Sequence, residues 1–386
     1  MRGVVITGVG IVSALGSGAS AQLEALKAGR SGLRPLSLFS LQGLPPLPVG
    51  EVDASVLGDT GPRTPGLALV AARQALQGAA LEGPGVLAVG TTTGGIPESE
   101  RHYFQHRGQE GADDRELLRH HAAGTVADVL ASELGLTAER HTFSTACSSS
   151  ANAIGYGAAR VERGAPWALV GGVDALSRLT YAGFHSLKLL SSTACRPFGH
   201  GRTGLSLGEG AAFLLLESEE RARKRGARIL GYVAGWGCTA DAYHITAPHP
   251  EGLGAIAAMR AALEDAGLSP KDVDYVNAHG TATPANDRAE SFALGTVFGG
   301  EVPLTSSTKG ATGHTLGAAG AIEAVYCVLA LQAGFAPASI GLTEPDPELR
   351  VRHVPAGGVE GPLKVALSNS FGFGGNNTAL VITRPE

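Results

Sequence analysis

Short apolar segments of strand length alternate with segments of helix length along most of this chain. The apolar segments are continuous, which is typical of strands that are buried on both faces of a sheet. Such strands need helices on both faces to cover them, so the alternation predicts an α/β fold. The strand-like segments are GVVITGVG, GVLAVGTTTGG, PWALVGGVDAL, GAAFLLLE, VDYVNAHGT, VPLTSST, KVALSNS and NTALVIT.

The order of these segments also repeats within the chain. AARQALQGAALEGPGVLAVGTTTGG has the pattern of a helix, a turn and a strand that ends in Gly-Thr, and AMRAALEDAGLSPKDVDYVNAHGTAT has the same pattern about 185 residues later. The repeat predicts two similar halves, residues 1–225 and 226–386. Between them, ESEERARKRGAR is predicted to be an exposed helix, because runs of charge are usually solvated.

The composition excludes several classes of protein. A formal net charge of -5 argues against a nucleic-acid-binding protein, which is usually basic. The four cysteines are far apart and lack CxxC spacing, so we predict neither a disulfide scaffold nor a structural zinc site. The first residues lack the features of a signal peptide, and the longest apolar run carries Glu323. We therefore interpret that run as a buried helix, and we expect a cytoplasmic protein that does not bind a membrane.

Cys147 lies between a strand-like segment, HTFST, and a helix-like segment, SSSANAIGYGAAR. The free backbone N–H groups at a helix N-terminus favour an anion there, which predicts a lowered thiol pKa. The same N–H groups can stabilise an oxyanion. Cys147 is therefore a candidate nucleophile, although a free cysteine is more often a small buried apolar residue.

Two histidines follow predicted strands in the second half, where sites collect in α/β sheets. His279 comes before a Gly-Thr turn in VDYVNAHGTATP, and His314 lies in the glycine-rich turn of STKGATGHTLGAAG. Lys309 and Glu323 flank His314 in the sequence and are candidates for a charge pair that holds an imidazole. An ordinary structural ion pair is the alternative for these two residues.

The segment NSFGFGGNN places Phe371 and Phe373 among glycines, which permit close approach of the backbone to a ligand. An aromatic ring between glycines is a candidate for a movable gate, and a tight turn is the alternative. The segment GLSLG at residues 204–208 matches GxSxG, but it precedes a strand rather than a helix. It is therefore rejected as a nucleophile elbow.

Four of these segments together resemble the signature blocks of the β-ketoacyl-acyl-carrier-protein synthases, and most closely the elongating type with one cysteine and two histidines. The segments are TACSSSANAIGYGAA, NAHGTATPANDRAE, SSTKGATGHTLGAAGAIEA and NSFGFGGNN. The resemblance implies a thiolase-like fold, a duplicated αβαβα arrangement of layers with pseudo-two-fold halves. The nucleophilic cysteine would belong to the first half and the two catalytic histidines to the second.

The resemblance also implies the reaction. Cys147 would accept an acyl chain from a carrier-protein thioester, and His279 and His314 would assist decarboxylation of a malonyl thioester. The backbone N–H groups of Cys147 and Phe373 would bind the oxyanion. No metal and no separate cofactor would be needed, because the phosphopantetheine of the acyl-carrier protein carries the substrates. A homodimer is expected on the same basis.

The remaining residues of the expected site also follow from the resemblance. Lys309 and Glu323 would be supporting polar residues, and Phe373 would be the gating aromatic beside Phe371. Thr281 and Thr283 match positions that contact the phosphopantetheine arm.

The chain departs from the family pattern in one loop and in its basic residues. RPFGHGRTG has Gly199 and Thr203 where the family often has aspartate. Carrier proteins are acidic, so basic residues are expected where they dock. Arg63 and Arg202 are the candidates for that docking surface.

Two other functions stay open at this point. A non-catalytic chain-length partner subunit would share the fold but typically lacks the active cysteine. A thiolase acting on coenzyme A thioesters would need a second cysteine near NSFGFGGNN, which has none. Neither the acyl chain length nor the pathway, primary fatty-acid or specialised polyketide and polyene synthesis, follows from the sequence.

Overall fold

The computed structural model describes residues 3–58, 61–107 and 116–385. Among these residues, eleven strands form one mixed sheet, and two further pairs of strands form small separate sheets. The strands are β1 (Val4–Ser13), β2 (Gly16–Ser17), β3 (Leu33–Pro35), β4 (Pro48–Gly50), β5 (Gly85–Gly90), β6 (Ala138–Phe143), β7 (Trp167–Asp174), β8 (Gly210–Ser218), β9 (Gly231–Ala240), β10 (Tyr275–Asn277), β11 (Leu304–Ser306), β12 (Phe335–Ala336), β13 (Val359–Glu360), β14 (Val365–Gly372) and β15 (Asn376–Thr383).

Helices connect most of these strands and cover the large sheet. Short 3₁₀ turns lie at 54–56, 117–120, 270–272, 316–318 and 373–375. The α-helices are α1 (Ala19–Lys27), α2 (Arg63–Ala75), α3 (Ile96–His106), α4 (Thr125–Glu133), α5 (Ser149–Glu162), α6 (Arg178–Ser186), α7 (Glu219–Lys224), α8 (Leu253–Asp265), α9 (Pro284–Phe298), α10 (Lys309–Thr312) and α11 (Ala319–Ala333).

The large sheet contains the same strand arrangement twice. Its order is β11-β10-β14-β15-β9-β1-β8-β7-β5-β6, and β2 pairs with β1 outside this path. In each half the first strand pairs with the last, and the two outermost pairings are parallel. The halves join where β1 and β9 pair antiparallel. The predicted duplicated α/β fold is therefore confirmed, whereas the boundary between residues 225 and 226 stays a prediction.

Helices α5 and α11 pack against each other and against strands of both halves, in the largest apolar cluster of the protein. Helices α2 and α4 cover the other face of the first half, and α8 and α9 cover that of the second. This arrangement gives the layers of an αβαβα fold. The stretch Leu316–Ala333 is long and apolar enough to cross a bilayer, but 89% of it is buried inside the protein. The apolar run predicted to be a buried helix is therefore a core helix.

The sequence patterns found the buried strands but missed β9. This strand alternates between buried and half-buried residues and contains three glycines, so it lacks the continuous apolar pattern of its neighbours. The charged segment between the halves forms α7, which is short and mostly exposed, although Ala222 is buried beneath it. The strands β6, β10, β11 and β14 all end in the same region of the protein, and the residues that follow them form the candidate active site.

Candidate active site

The turn between β6 and α5 carries Cys147, which lines a cavity of about 330 Å³. Ala146 has a φ of 52°, a left-handed conformation that a residue with a Cβ seldom adopts. Cys147 comes one residue before Ser148, the residue that precedes the first helical position of α5. The predicted placement of the thiol at a helix N-terminus is therefore found in the structure.

The thiol of Cys147 is buried and contacts an imidazole. Its Sγ lies 3.0 Å from Nε2 of His314. Burial raises the pKa of the thiol to about 11, although the charge of Lys309 and the backbone N–H of Phe373 oppose that effect. The prediction of a lowered thiol pKa is wrong, because the loss of solvent outweighs the positive groups around the sulfur. Cys147 is therefore a thiol at neutral pH, in contact with the imidazole of His314.

His279 lines the same cavity, after the end of β10. The rings of His279 and His314 are perpendicular, with centroids 5.3 Å apart. The thiol sulfur and one nitrogen of each ring all lie within 4.8 Å of one another. The duplicated sheet thus brings together three residues that are separated by up to 167 positions in the chain.

Lys309 determines which nitrogen of His279 carries the proton. Its Nζ lies 3.3 Å from Nδ1 of His279 and donates to the His279 carbonyl at 2.6 Å. An ammonium group can only donate, so Nδ1 accepts and the proton is on Nε2. Lys309 also forms a buried ion pair with Glu323, whose pKa is raised to about 7 by burial, with Lys309 opposing. The predicted charge pair therefore exists and holds an imidazole.

Both imidazoles are neutral in this environment. Burial, followed by the charge of Lys309, lowers the pKa of His279 and of His314 well below the ordinary value. A neutral imidazole can donate one hydrogen bond from a ring N–H without presenting a full positive charge. The pair can therefore stabilise a negative oxygen that develops between the two rings.

The glycine-rich segment after β14 forms another wall of the site. The backbone N–H of Phe373 faces the thiol of Cys147 and lowers its pKa. A Cβ on Gly372 would lie 3.0 Å from the carbonyl oxygen of Thr145 and 3.1 Å from the backbone nitrogen of Cys147, so only glycine fits without displacement. The ring of Phe373 stacks on Phe184, with centroids 5.6 Å apart. Both rings line the cavity that contains Cys147.

Thr281 and Thr283 line the cavity and are buried, and their hydroxyl oxygens lie 2.9 Å apart. The ring of Phe371 lies 5.9 Å from that of His279. Every residue predicted for the site except Lys309 and Glu323 lines the cavity, and those two lie behind His279. The lining residues are Cys147, Phe184, Leu187, Leu189, Leu205, Asp241, Thr246, Ala247, Pro248, His279, Thr281, Thr283, Pro284, Ala285, Asn286, His314, Phe371, Gly372, Phe373 and Asn377.

Two buried carboxylates that support the site were missed from the sequence. Glu290 on α9 accepts from the backbone N–H groups of His279 and Gly280 at 2.8 and 2.7 Å. Burial raises the pKa of Glu290 to about 7, and these two hydrogen bonds oppose that effect. Asp174, at the end of β7, accepts from the turn after β5 and from Gly317. The position of Asp174 at a strand end was the available signal.

The two arginines predicted for a docking surface are not available for one. Arg63 pairs with the buried Glu209, and Arg202 pairs with Asp287 and Asp346. Arg202 is itself buried. That prediction is wrong, because both guanidinium groups compensate carboxylates within the fold. Arg202 also donates to the carbonyl of Gly199 at 3.3 Å, within the RPFGHGRTG loop.

A soft metal ion is the alternative occupant of the Cys147, His279 and His314 group, because thiol and imidazole ligands suit zinc. The ammonium of Lys309 disfavours a cation there, since it lies 3.3 Å from Nδ1 of His279. The rejected GLSLG segment has a structural part in the site. Its Ser206 carbonyl accepts from the backbone N–H of His314 at 2.7 Å and so holds the turn in place.

Known proteins match this chain along its whole length. The family described as "Beta-ketoacyl synthase, N-terminal domain" matches residues 63–222, and "Beta-ketoacyl synthase, C-terminal domain" matches residues 230–343. The 3-oxoacyl-[acyl-carrier-protein] synthase 2 of Coxiella burnetii is 37% identical over 99% of both chains. The protein with the same name from a Synechocystis species is also 37% identical, over 99% of this chain and 98% of its own.

Solved structures match the fold equally well. The ishigamide ketosynthase/chain length factor superposes with a TM-score of 0.92 at 35% identity, and the match covers 100% of both chains. A β-ketoacyl synthase from Burkholderia phymatum superposes with a TM-score of 0.90 at 32% identity, again over 100% of both. The resemblance of the four sequence segments is thereby confirmed. This chain belongs to the β-ketoacyl synthase family.

Proposed function

We propose that this protein is a β-ketoacyl-acyl-carrier-protein synthase, an acyltransferase that joins an acyl thioester to a malonyl thioester by decarboxylative Claisen condensation. The observation that carries the proposal is the thiol of Cys147 at 3.0 Å from His314, in a buried cavity that His279 also lines. The names of the curated relatives support acyl-carrier protein as the partner that delivers both substrates. One solved relative is a ketosynthase in complex with its type II polyketide acyl-carrier protein.

In the first half-reaction, Sγ of Cys147 attacks the carbonyl carbon of the acyl thioester. The proton of the thiol passes to the departing phosphopantetheine thiolate, so the free carrier leaves as a thiol, while the Nε2–H of His314 donates to the sulfur. The backbone N–H groups of Cys147 and Phe373 are suited to stabilise the oxyanion, because both lie at the sulfur. The acyl chain is then held on Cys147 as a thioester.

In the second half-reaction, the malonyl thioester loses CO₂ and the electron pair of the broken bond forms an enolate. His279 and His314 donate hydrogen bonds to the enolate oxygen, and the carbanion attacks the acyl carbonyl on Cys147. Cys147 leaves as a thiolate and regains a proton. The balance is one proton consumed, one CO₂ released and an acyl chain that is two carbons longer on the carrier protein. These steps use no metal and no cofactor beyond the phosphopantetheine.

We assign supporting parts to the other predicted residues. Lys309, with Glu323 behind it, keeps the proton of His279 on Nε2, as its contacts to Nδ1 and to the carbonyl support. Thr281 and Thr283, which line the cavity, contact the phosphopantetheine arm. Phe373 gates the thiol, and Phe371 packs beside the acyl chain. We further propose a homodimer located in the cytoplasm.

The test is to incubate the purified protein with a set of acyl-carrier proteins and with malonyl-carrier protein. Intact-mass spectrometry is expected to show Cys147 acylated by the first, and a carrier-bound product two carbons longer after the second is added. Saturated chains and polyunsaturated or β-keto chains form separate arms, which distinguish fatty-acid from polyketide or polyene synthesis. Acylation of Cys147 by coenzyme A thioesters alone, with no use of carrier proteins, would favour a thiolase instead.

A further inference from the structure

A fully buried carboxylate, Asp174, lies between the two turns that carry Cys147 and His314. Asp174 is the last residue of β7 and has no exposed surface. Among the described residues, no lysine, arginine or histidine forms an ion pair with it. A buried charge without a counter-ion is costly unless hydrogen bonds replace its solvation. The surroundings of Asp174 must therefore supply that compensation.

Five donors from two separate segments converge on this carboxylate. The first segment is the Thr91–Thr93 turn after β5, which donates three times to Oδ1: from the hydroxyl of Thr91 at 2.8 Å, and from the backbone N–H and hydroxyl of Thr93 at 2.8 and 2.7 Å. The backbone N–H of Thr92 lies 3.0 and 2.9 Å from the two oxygens. The second segment donates from the backbone N–H of Gly317 to Oδ2 at 2.6 Å.

These contacts favour the ionised form of Asp174. A backbone N–H can only donate, and at least one faces each carboxylate oxygen, so both oxygens act as acceptors here. Hydrogen bonds to an ionised carboxylate belong to the stronger, charge-assisted kind. Burial is the largest effect on the pKa of Asp174 and raises it, and the bonds from Thr93, Thr92 and Thr91 oppose that effect.

Each segment bound to Asp174 leads directly to a reacting group. The hydroxyl of Thr92 lies 3.4 Å from the carbonyl of Ala146, the residue before Cys147. Gly317 is three positions after His314, in the 3₁₀ turn that opens α11. A Cβ on Gly317 would lie 2.8 Å both from Oδ2 of Asp174 and from the backbone nitrogen of Thr92, so the two segments meet at the carboxylate with no spare room.

We propose that Asp174 is a positioning residue for the reaction, a charged clamp that holds the Thr91–Thr93 turn beneath Cys147 against the turn that bears His314. The inference rests on the proposed function, because Cys147 and His314 are the groups that react in the proposed condensation. Its structural consequence is the 3.0 Å contact between Sγ and Nε2, which two otherwise independent turns must maintain. Displacements of an ångström between reacting groups can cost about 100-fold in rate.

The experiment compares Asp174→Asn with Asp174→Glu and with a control, Glu217→Gln. Glu217 is also a buried carboxylate of the β7–β8 pair. It lies opposite Trp167 in the strand register, so it is at the other end of β7 from Asp174. For each folded variant, kcat and KM for condensation are measured, together with the pH dependence of Cys147 alkylation by iodoacetamide. Alkylation needs no substrate, so it reports on the clamp even if the proposed condensation is absent from the wild-type protein.

We expect Asp174→Asn to lower kcat about 10- to 100-fold with KM for the carrier protein changed less than threefold. Its alkylation profile should move to lower pH, because a negative charge that disfavours the thiolate is removed. Asp174→Glu retains the charge but displaces the carboxylate by one methylene group, so it should keep the wild-type alkylation profile and still lower kcat, and Glu217→Gln should change only the melting temperature. If Asp174→Asn does not fold, Thr93→Val removes one donor and should lower kcat about threefold. An unchanged kcat and alkylation profile in the folded Asp174 or Thr93 variant would overturn the proposal.

Discussion

The turn that carries Cys147 and the turn that carries His314 occupy equivalent places in the two halves of the sheet. The first connects β6 to α5 through residues 144–148, and the second connects β11 to α11 through residues 307–318. The first contains no glycine and relies on the left-handed backbone of Ala146, whereas the second contains a short helix and Gly313 with a φ of 73°. The duplication therefore explains why Cys147 and His314 meet. The difference between the two turns explains why one supplies the nucleophile and the other supplies proton-bearing groups.

The longer turn carries groups that the shorter one lacks. Lys309 begins its short helix α10 and reaches back to His279, while His314 reaches forward to the thiol. The shorter turn provides only a sulfur and the backbone N–H groups at the start of α5. A compact turn suits a nucleophile that must stay fixed beside an oxyanion site, and an elaborate turn suits the placement of several proton-bearing groups.

The largest effect is expected from the shorter turn. Cys147→Ala should lower condensation by at least about 10⁴-fold, because among the described residues no other cysteine lines the cavity to hold the acyl chain. Intact mass after incubation with acyl-carrier protein should show no acyl adduct, while release of CO₂ from malonyl-carrier protein continues. Condensation at more than a few per cent of the wild-type rate would contradict the assignment of Cys147 as nucleophile.

The next largest effects should separate the two histidines. His279→Ala should lower release of CO₂ from malonyl-carrier protein about 10²- to 10⁴-fold while acylation of Cys147 falls less than tenfold, because His279 is not the imidazole in contact with the sulfur. His314→Ala should lower both steps. The two half-reactions are measured separately, by the carrier-bound products and by the acyl adduct. Equal losses in both steps for both variants would contradict the assignment of different parts to His279 and His314.

The pH dependence of Cys147 alkylation distinguishes two influences on the pKa of the thiol, which are burial, which raises it, and position at a helix N-terminus, which lowers it. With its pKa raised to about 11, the thiolate fraction at pH 7 is about one in 10⁴, so the rate of alkylation by iodoacetamide should rise about tenfold per pH unit from pH 7 to 10. A thiol with a pKa lowered by the helix would instead react at a constant rate above pH 7. The same measurement on Cys147→Ala subtracts the contribution of Cys238, which is exposed.

The sequence was sufficient for features that depend on local pattern or on order along the chain. The buried strands, the duplication, the strand-end positions of Cys147 and the two histidines, and the glycine segment beside the thiol all follow from such patterns. Strand β9 did not, because its glycines and half-buried residues lack a continuous apolar run. The site residues that were predicted are brought together, but their assigned parts in the reaction stay predictions.

The features that were missed depend on contacts across the fold. Glu290 reaches the His279 loop from α9, and Asp174 reaches Gly317, which is 143 positions away in the chain. Burial of the thiol, which reverses the predicted direction of its pKa, also needs the packed structure. The engagement of Arg63 and Arg202 in internal ion pairs could not be inferred from their sequence neighbours.

The smallest effect is expected where the glycine segment touches the shorter turn. Gly372→Ala would place a Cβ 3.1 Å from the backbone nitrogen of Cys147, so the turn and the end of β14 must separate by a few tenths of an ångström. Its φ of -110° suits alanine, so crowding is the cause rather than backbone strain. We expect kcat to fall about three- to tenfold, with a larger loss in acylation of Cys147 than in CO₂ release, because the oxyanion N–H groups move and the imidazoles do not.

Gly183→Ala, where the new methyl group would meet no atom within 4 Å, is the matched control and should leave kcat unchanged. Equal kcat values for the two variants would mean that the contact between Gly372 and the cysteine turn does not position the sulfur.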